Sequence, residues 1–168
     1  MWRFLQSLFT DGSGNRAALS SRASSAGTLA PGTASPGIPV VAMVVNQPDR
    51  NVLTAVGTQE PFAIRFAESY EEACSLARQL SAPVILVDRD WPGSDWRGAV
   101  ETFAALPHAA CVILVSGVAD DYLWQELIRR GGYDVLGKPL RREDVARVLK
   151  LALSYWQAST NPAVPLTR

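Results

Sequence analysis

The chain has 168 residues, 48% of them hydrophobic, which is enough for one domain with a buried core plus tails. Its 16 basic and 16 acidic residues give a formal net charge of zero, which argues against a nucleic-acid-binding protein because such proteins usually carry a basic excess. No apolar stretch approaches the roughly 20 residues that a membrane span needs, and the short apolar start lacks the features of a signal peptide, so we expect a cytoplasmic protein.

The N-terminal region, residues 1–38, is predicted to be a disordered tail. From about residue 11 onward it consists mostly of Gly, Ala, Ser, Thr and Pro. Such a segment buries too little apolar surface to offset its chain entropy. Trp2, Leu5 and Phe9 can share one face of a short helix, which is either a frayed terminus or a docking peptide on a flexible linker.

From residue 39 to residue 157, short apolar runs alternate with amphipathic stretches, which predicts a single domain. The predicted strands are residues 40–45, 62–67, 83–87, 111–115 and 133–136. The predicted helices are residues 49–58, 69–80, 95–106, 120–130 and 142–156. Because the strand-like runs are continuously apolar, both faces of the sheet should be covered, as in a parallel sheet. The βα repeat predicts a doubly wound, three-layer α/β sandwich, followed by a flexible tail over residues 158–168.

The cysteines and the histidine do not form a recognisable metal motif. Cys74 and Cys111 each stand alone in an apolar stretch, so we expect two buried, reduced thiols. One histidine, His108, and two separated cysteines argue against a zinc site.

Polar side chains follow four of the predicted strands, at the edge where open parallel sheets bind their ligands. They are Asn46 and Gln47 after the first strand, Asp88, Arg89 and Asp90 after the third, Ser116 after the fourth and Lys138 after the fifth. An aspartate, a serine and a lysine from three different strands should therefore meet in one small patch.

Three segments in this region resemble the receiver domains of response regulators. Residues 84–93 resemble the strand that carries the phosphoacceptor aspartate, in which a proline follows that aspartate four positions later. Residues 111–117 resemble the next strand, which ends in Ser or Thr, and residues 131–139 resemble the segment that ends in Lys-Pro. The segments occur in the same order as in the family, and the resemblance covers residues 39–157.

The resemblance implies a flavodoxin-like (βα)5 fold with strand order 2-1-3-4-5. It also implies that Asp88 is the phosphoacceptor, a nucleophile toward a phosphohistidine. Ser116 and Lys138 would bind the phosphoryl group, and Mg²⁺ would clamp it to the carboxylate. The family further implies a cis peptide bond before Pro139.

The resemblance implies partners as well. A histidine kinase or a phosphotransfer protein would supply the phosphoryl group. A downstream protein would bind the face formed by helix 4, strand 5 and helix 5, where Tyr122 and Trp124 are predicted to lie.

Two departures from the family weaken the expected phosphorylation chemistry. Receivers have an acidic pair after the first strand, where this chain has Asn46 and Gln47, so any Mg²⁺ should be held less tightly. Asp88 and Asp90 remain as candidate metal ligands, and Asp49 is a weaker candidate. The aromatic switch residue, three positions before the lysine, is replaced by Val135.

Three interpretations of function remain open. The first is a stand-alone, non-enzymatic receiver in two-component phosphorelay signalling, in which Asp88 accepts phosphate and output is through protein contacts, since no residues remain for an output domain. The second is a pseudo-receiver that binds proteins independently of phosphate; Asp88 and Lys138 would then form a structural ion pair and Ser116 would cap a turn. The third, a flavodoxin-like or Rossmann-like enzyme, lacks the glycine-rich loop that it needs after the first strand.

Overall fold

The computed structural model of the protein describes residues 37–93 and 95–160. The predictions for Trp2, Leu5 and Phe9, for residues 1–36 and for residues 161–168 lie outside this part of the chain. The described strands are β1 (Ile38–Met43), β2 (Phe62–Phe66), β3 (Val84–Asp88), β4 (Cys111–Ser116) and β5 (Asp134–Gly137). The helices are α1 (Gln47–Gln59), α2 (Tyr70–Leu80), α3 (Trp96–Ala104), α4 (Asp121–Arg129) and α5 (Arg142–Thr160).

The five strands form one parallel sheet in the order β2-β1-β3-β4-β5, which confirms the predicted flavodoxin-like topology. In the register of the central strands, Asp88 lies opposite Val115, and Ser116 lies opposite Gly137. The last residues of β3, β4 and β5 are therefore level at one edge of the sheet, and the polar residues that end these strands are placed together.

Two apolar layers cover the sheet, one on each face. One layer combines inward residues of α2, α3 and α4 with one side of the strands, and Phe103 is its largest fully buried side chain. The other layer combines residues of α1 and α5 with the opposite side, and includes Leu53 and Leu149. Successive residues of β1 point to opposite layers, as the pleat of a strand requires. This burial on both faces explains the continuously apolar strand sequences.

Local sequence signals set the helix ends. Ser69 accepts a hydrogen bond from the backbone N–H of Glu72 (3.1 Å) and so caps the first turn of α2. Gly131 follows α4 with a φ of +85°, a conformation that glycine adopts without strain, and donates to the carbonyl of Ile128 at the end of the helix.

Most element bounds differ from the predicted ones by one or two residues, and the end of α5 differs by four. This helix continues to Thr160, three residues into the segment predicted as the C-terminal tail. The hydroxyls of Ser159 and Thr160 donate to the carbonyls of Tyr155 and Trp156, side-chain contacts within the last turn that an apolar pattern does not reveal.

Two further sequence expectations can be compared with the described residues. Cys74 and Cys111 are buried, free thiols, as predicted, and burial raises the pKa of Cys111 to about 11. Among the helices of residues 37–93 and 95–160, none combines the length and apolar character that crossing a bilayer requires.

Candidate functional site

Asp88 is the last residue of β3, and its side chain has no exposure to solvent. Its Oδ1 accepts hydrogen bonds from the ammonium of Lys138 (2.6 Å) and from the backbone N–H of Asp90 (3.1 Å). Its Oδ2 accepts one from the backbone N–H of Val45 (3.1 Å). Both carboxylate oxygens therefore have donors, which is the condition for keeping a charged group buried.

Lys138 directly follows β5, and its side chain is 14% exposed. Besides its contact with Asp88, its Nζ lies 3.7 Å from Oδ2 of Asp90, whose side chain is largely exposed. The Lys138–Pro139 peptide bond is cis, as the resemblance implied. The single ammonium is thus placed between two carboxylates, one buried and one on the surface.

Ser116 ends β4 and is fully buried. Its Oγ accepts a hydrogen bond from the backbone N–H of Val118 (3.1 Å), so the hydroxyl caps the turn that follows the strand. Its carbonyl accepts from the backbone N–H of Lys138 (2.9 Å), which fixes the start of the lysine segment against β4. The structure thus brings Asp88, Ser116 and Lys138 to the same edge of the sheet.

The two amide side chains after β1, those of Asn46 and Gln47, form hydrogen bonds within the first turns of α1. Asn46 is the N-cap, and its Oδ1 accepts from the backbone N–H of Asp49 (2.8 Å). Gln47 donates from Nε2 to Oδ1 of Asn51 (2.9 Å). The residue of this loop that contacts Asp88 is Val45, through its backbone. Val45 could not be predicted as part of the site, because a backbone donor leaves no trace in the residue type.

Asp49, the weaker candidate metal ligand in the sequence, is buried, with 2% exposure. Its Oδ1 accepts from the backbone N–H of Leu140 (3.0 Å), and its Oδ2 is buried without a hydrogen-bond partner. Asp49 shares the buried face of α1 with Leu53 and Val56, at a spacing of four and three residues. An acid in line with an apolar stripe was the sequence signal that could have identified it.

Asp88 and Asp90, the two candidate ligands for the magnesium ion that the resemblance implied, both contact the ammonium of Lys138. Within the described ranges, no group of three or more His, Cys, Asp or Glu side chains is arranged to hold a metal ion. Both oxygens of Asp88 are taken by protein donors, one of them the ammonium of Lys138. Asp90 is the second carboxylate there, and it faces the same ammonium. Mg²⁺ is usually bound through one or two carboxylates together with phosphate oxygens and water, so a magnesium ion here would compete with Lys138 for the same carboxylates.

The face formed by α4, β5 and α5 carries several exposed apolar side chains. Tyr155 and Leu151 on α5 are 59% and 46% exposed. Tyr122, predicted to lie on this face, is 68% exposed but lines a cleft with Glu101 of α3, on the other side of α4. Tyr155 also stacks against Tyr133, with ring centroids 5.4 Å apart. Trp124, predicted to lie on this face, is half-buried against the core. Val135 is buried inside β5 and contributes to the core, so the aromatic switch position of receivers is filled by a packed aliphatic side chain.

Comparisons with known proteins identify the fold. No protein-family model and no curated protein sequence matches the chain. Among solved structures, it is similar to the signal receiver domain of an HD domain-containing protein from Pseudomonas fluorescens Pf-5, with 17% identity, a TM-score of 0.67 and coverage of 78% of this chain and 97% of that one.

Two further solved structures show the same similarity. A response regulator from Thermotoga maritima has 17% identity and a TM-score of 0.63, over 70% of this chain and 98% of that one. The Vibrio cholerae chemotaxis protein CheY4 has 17% identity and a TM-score of 0.62, over 69% and 98%. The described part of this chain has the fold of receiver domains.

Proposed function

We propose that this chain is a receiver-like signalling module of a two-component system that acts through protein contacts and does not depend on phosphorylation of Asp88. The observation that best supports this proposal is that both oxygens of the Asp88 carboxylate already accept hydrogen bonds from the protein, from Lys138, Asp90 and Val45. In this proposal the module is cytoplasmic and has no enzymatic activity of its own.

The proposal follows from the charges around Asp88. An isolated buried carboxylate is costly, and a hydrogen-bonded cation beside it offsets that cost. Lys138 supplies that cation at 2.6 Å, so the site is neutralised by the protein itself. A phosphoryl group would add negative charge where the chain offers one ammonium and, after β1, the uncharged residues Val45 and Asn46.

The partner would bind the face of α4, β5 and α5. Leu151 and Tyr155 of α5 are exposed there, at 46% and 59%. Aromatic side chains are enriched at interface centres because they bury much area at a small cost in conformational entropy. A histidine kinase or another signalling protein is the kind of partner that the receiver fold favours.

A phosphorylation assay tests this proposal. The full chain is incubated with acetyl phosphate over a wide range of Mg²⁺ concentrations and analysed on a Phos-tag gel. The variants Asp88→Asn and Asp90→Asn serve as the site variant and its matched control. We expect no shifted band in any sample. A band that appears in the wild type and in Asp90→Asn but not in Asp88→Asn would overturn the proposal.

That contrary result would establish the second candidate function, a phosphoacceptor receiver. It is favoured by one observation, the placement of Asp88, Ser116 and Lys138 at the same edge of the sheet. In that function an oxygen of Asp88 would attack the phosphorus of a phosphohistidine, and the imidazole nitrogen would leave. Lys138 would move from the carboxylate to the phosphoryl oxygens as their counterion, and the hydroxyl of Ser116 would donate to one of them.

A further inference from the structure

The turn formed by Lys138, Pro139 and Leu140 has two backbone N–H groups, and both are hydrogen-bonded. The N–H of Lys138 donates to the carbonyl of Ser116 (2.9 Å), and the N–H of Leu140 donates to Oδ1 of Asp49 (3.0 Å). Pro139, between them, has no N–H. Asp49 therefore accepts one of only two backbone donors in this three-residue turn.

Burying the polar side chain of Asp49 costs free energy unless a specific interaction compensates for it. Its side chain is 2% exposed and lies on the apolar face of α1, where a leucine or valine would pack without loss. In the part of the chain that the structure describes, its Oδ2 has no hydrogen-bond partner, so the bond from Leu140 is the interaction that compensates its burial. This bond joins residues 91 positions apart, α1 to the segment before α5.

We propose that Asp49 is the positioning residue of the Asp88–Lys138 pair. By fixing the N–H of Leu140, it sets the backbone from which the ammonium of Lys138 reaches Oδ1 of Asp88. Asp88 binds the side chain of Lys138, and Asp49 binds the main chain of the same turn at Leu140. This inference deepens the proposed function, since it names the residue that maintains the ion pair on which that function rests.

The chain allows a selective test, because it contains only two lysines, Lys138 and Lys150. Lys150 pairs with Glu60 on the surface, and its side chain is 56% exposed, so it is an internal reference. The folded protein is treated with an amine-acylating reagent, and the rate at each lysine is measured by mass spectrometry. We expect Lys138 to react much more slowly than Lys150 in the wild type.

The informative variants remove or keep the acceptor for Leu140. Asp49→Ala removes it, and we expect the acylation rate of Lys138 to rise about tenfold, while Lys150 is unchanged; this corresponds to about 1.4 kcal/mol. Asp49→Asn keeps an Oδ1 acceptor, so Lys138 should stay protected. Asp144→Ala is the matched control, because Asp144 is an exposed acid of α5 that pairs with Arg147.

A purely structural role is separated from positioning by Leu53→Ala. Leu53 lies one turn along the same buried face of α1, and its truncation weakens packing but leaves the Asp49 acceptor for Leu140 in place. If Leu53→Ala exposes Lys138 as much as Asp49→Ala does, the proposal is overturned. An unchanged rate at Lys138 in folded Asp49→Ala overturns it as well.

A second measurement uses the wild type, in case Asp49→Ala does not fold. The amide proton of Leu140 should be protected from hydrogen exchange, because its acceptor is a buried carboxylate oxygen. Exchange at the rate of an exposed amide would overturn the inference. Neither the acylation nor the exchange result depends on phosphorylation, so a shifted Phos-tag band would reject the proposed function and leave the role of Asp49 standing.

Discussion

The ammonium of Lys138 lies 2.6 Å from Oδ1 of Asp88, and this contact joins the end of β3 to the segment after β5 across the intervening strand β4. Asp88 has no exposed side-chain surface, and Lys138 has little. The contact is therefore a buried ion pair, in which each charge makes the burial of the other tolerable. Removing one partner should lower the free energy of unfolding by more than the intact pair contributes to it, because the remaining charge stays buried without an opposite charge beside it.

Replacing Lys138 should therefore destabilise the domain strongly. In Lys138→Met, the aliphatic stem is kept but the charge is lost, and Asp88 remains buried beside an apolar side chain. We expect a loss of about 3–5 kcal/mol in the free energy of unfolding, measured by urea denaturation.

Two controls separate the buried charge from lost packing. The double variant Asp88→Asn/Lys138→Met removes both charges, and it should recover a large part of the stability lost in Lys138→Met. Lys150→Met removes a surface lysine paired with Glu60 and should change stability by less than about 1 kcal/mol. A loss in Lys138→Met as small as in Lys150→Met would contradict the prediction.

The hydroxyl of Ser116 should contribute measurably to stability through the turn that follows β4. Ser116→Ala removes the acceptor for the N–H of Val118 and leaves that donor without its partner. We expect a loss of about 1 kcal/mol, whereas Ser116→Thr should lose less because it keeps the oxygen. Thermal unfolding of both variants, with Ser159→Ala at the exposed end of α5 as the control, would check this. Wild-type stability in Ser116→Ala would rule out a capping role.

The sequence predicted the architecture because its signals are local and repeated. Continuous apolar runs and amphipathic stretches predicted the parallel α/β sandwich and the edge at which Asp88, Ser116 and Lys138 meet, and the resemblance to receivers implied the strand order. Each signal needs only the residues of one element plus the rule that parallel strands end at the same edge.

The contacts that complete the site could not be predicted in this way. Val45 acts through its backbone N–H, which any residue except proline would supply, so the residue type at this position does not indicate the contact. Asp49 bonds to an N–H that lies 91 residues away, and its role depends on how α1 packs beside the turn after Pro139. Such relationships arise from tertiary packing, which the residue types along one helix do not specify.

Gly132 should not tolerate a side chain. A Cβ built on it would lie 2.3 Å from Cδ1 of Leu127, whose side chain is fully buried in the core. Gly132→Ala must therefore displace Leu127, and we expect a loss of about 1–3 kcal/mol in urea denaturation. Gly117→Ala is the matched control, since nothing lies within 4 Å of a Cβ at that position. Equal stability of the two variants would show that Leu127 moves aside without cost.

His108 should make the stability of the domain depend on pH. It is the only histidine of the chain, and it lies before β4, where burial lowers its pKa below 6.5. Its Nε2 is buried without a hydrogen-bond partner, so a proton there would have no acceptor. The backbone carbonyl of His108 accepts from Nε1 of Trp156 (2.7 Å), and this bond keeps the residue against α5 whatever the state of the ring.

The sign of this dependence follows from the lowered pKa. At pH values between the folded and unfolded pKa of His108, the unfolded state binds the proton and the folded state does not. Stability should therefore be complete above about pH 7 and should fall as the pH drops through 6.5, by at most about 1.4 kcal/mol per pH unit. Urea denaturation of the wild type and His108→Gln across this range measures it. Carboxylates titrate equally in both proteins, so the difference between the two curves isolates the histidine. Parallel curves would show that the ring takes up its proton as easily in the folded domain as in the unfolded chain.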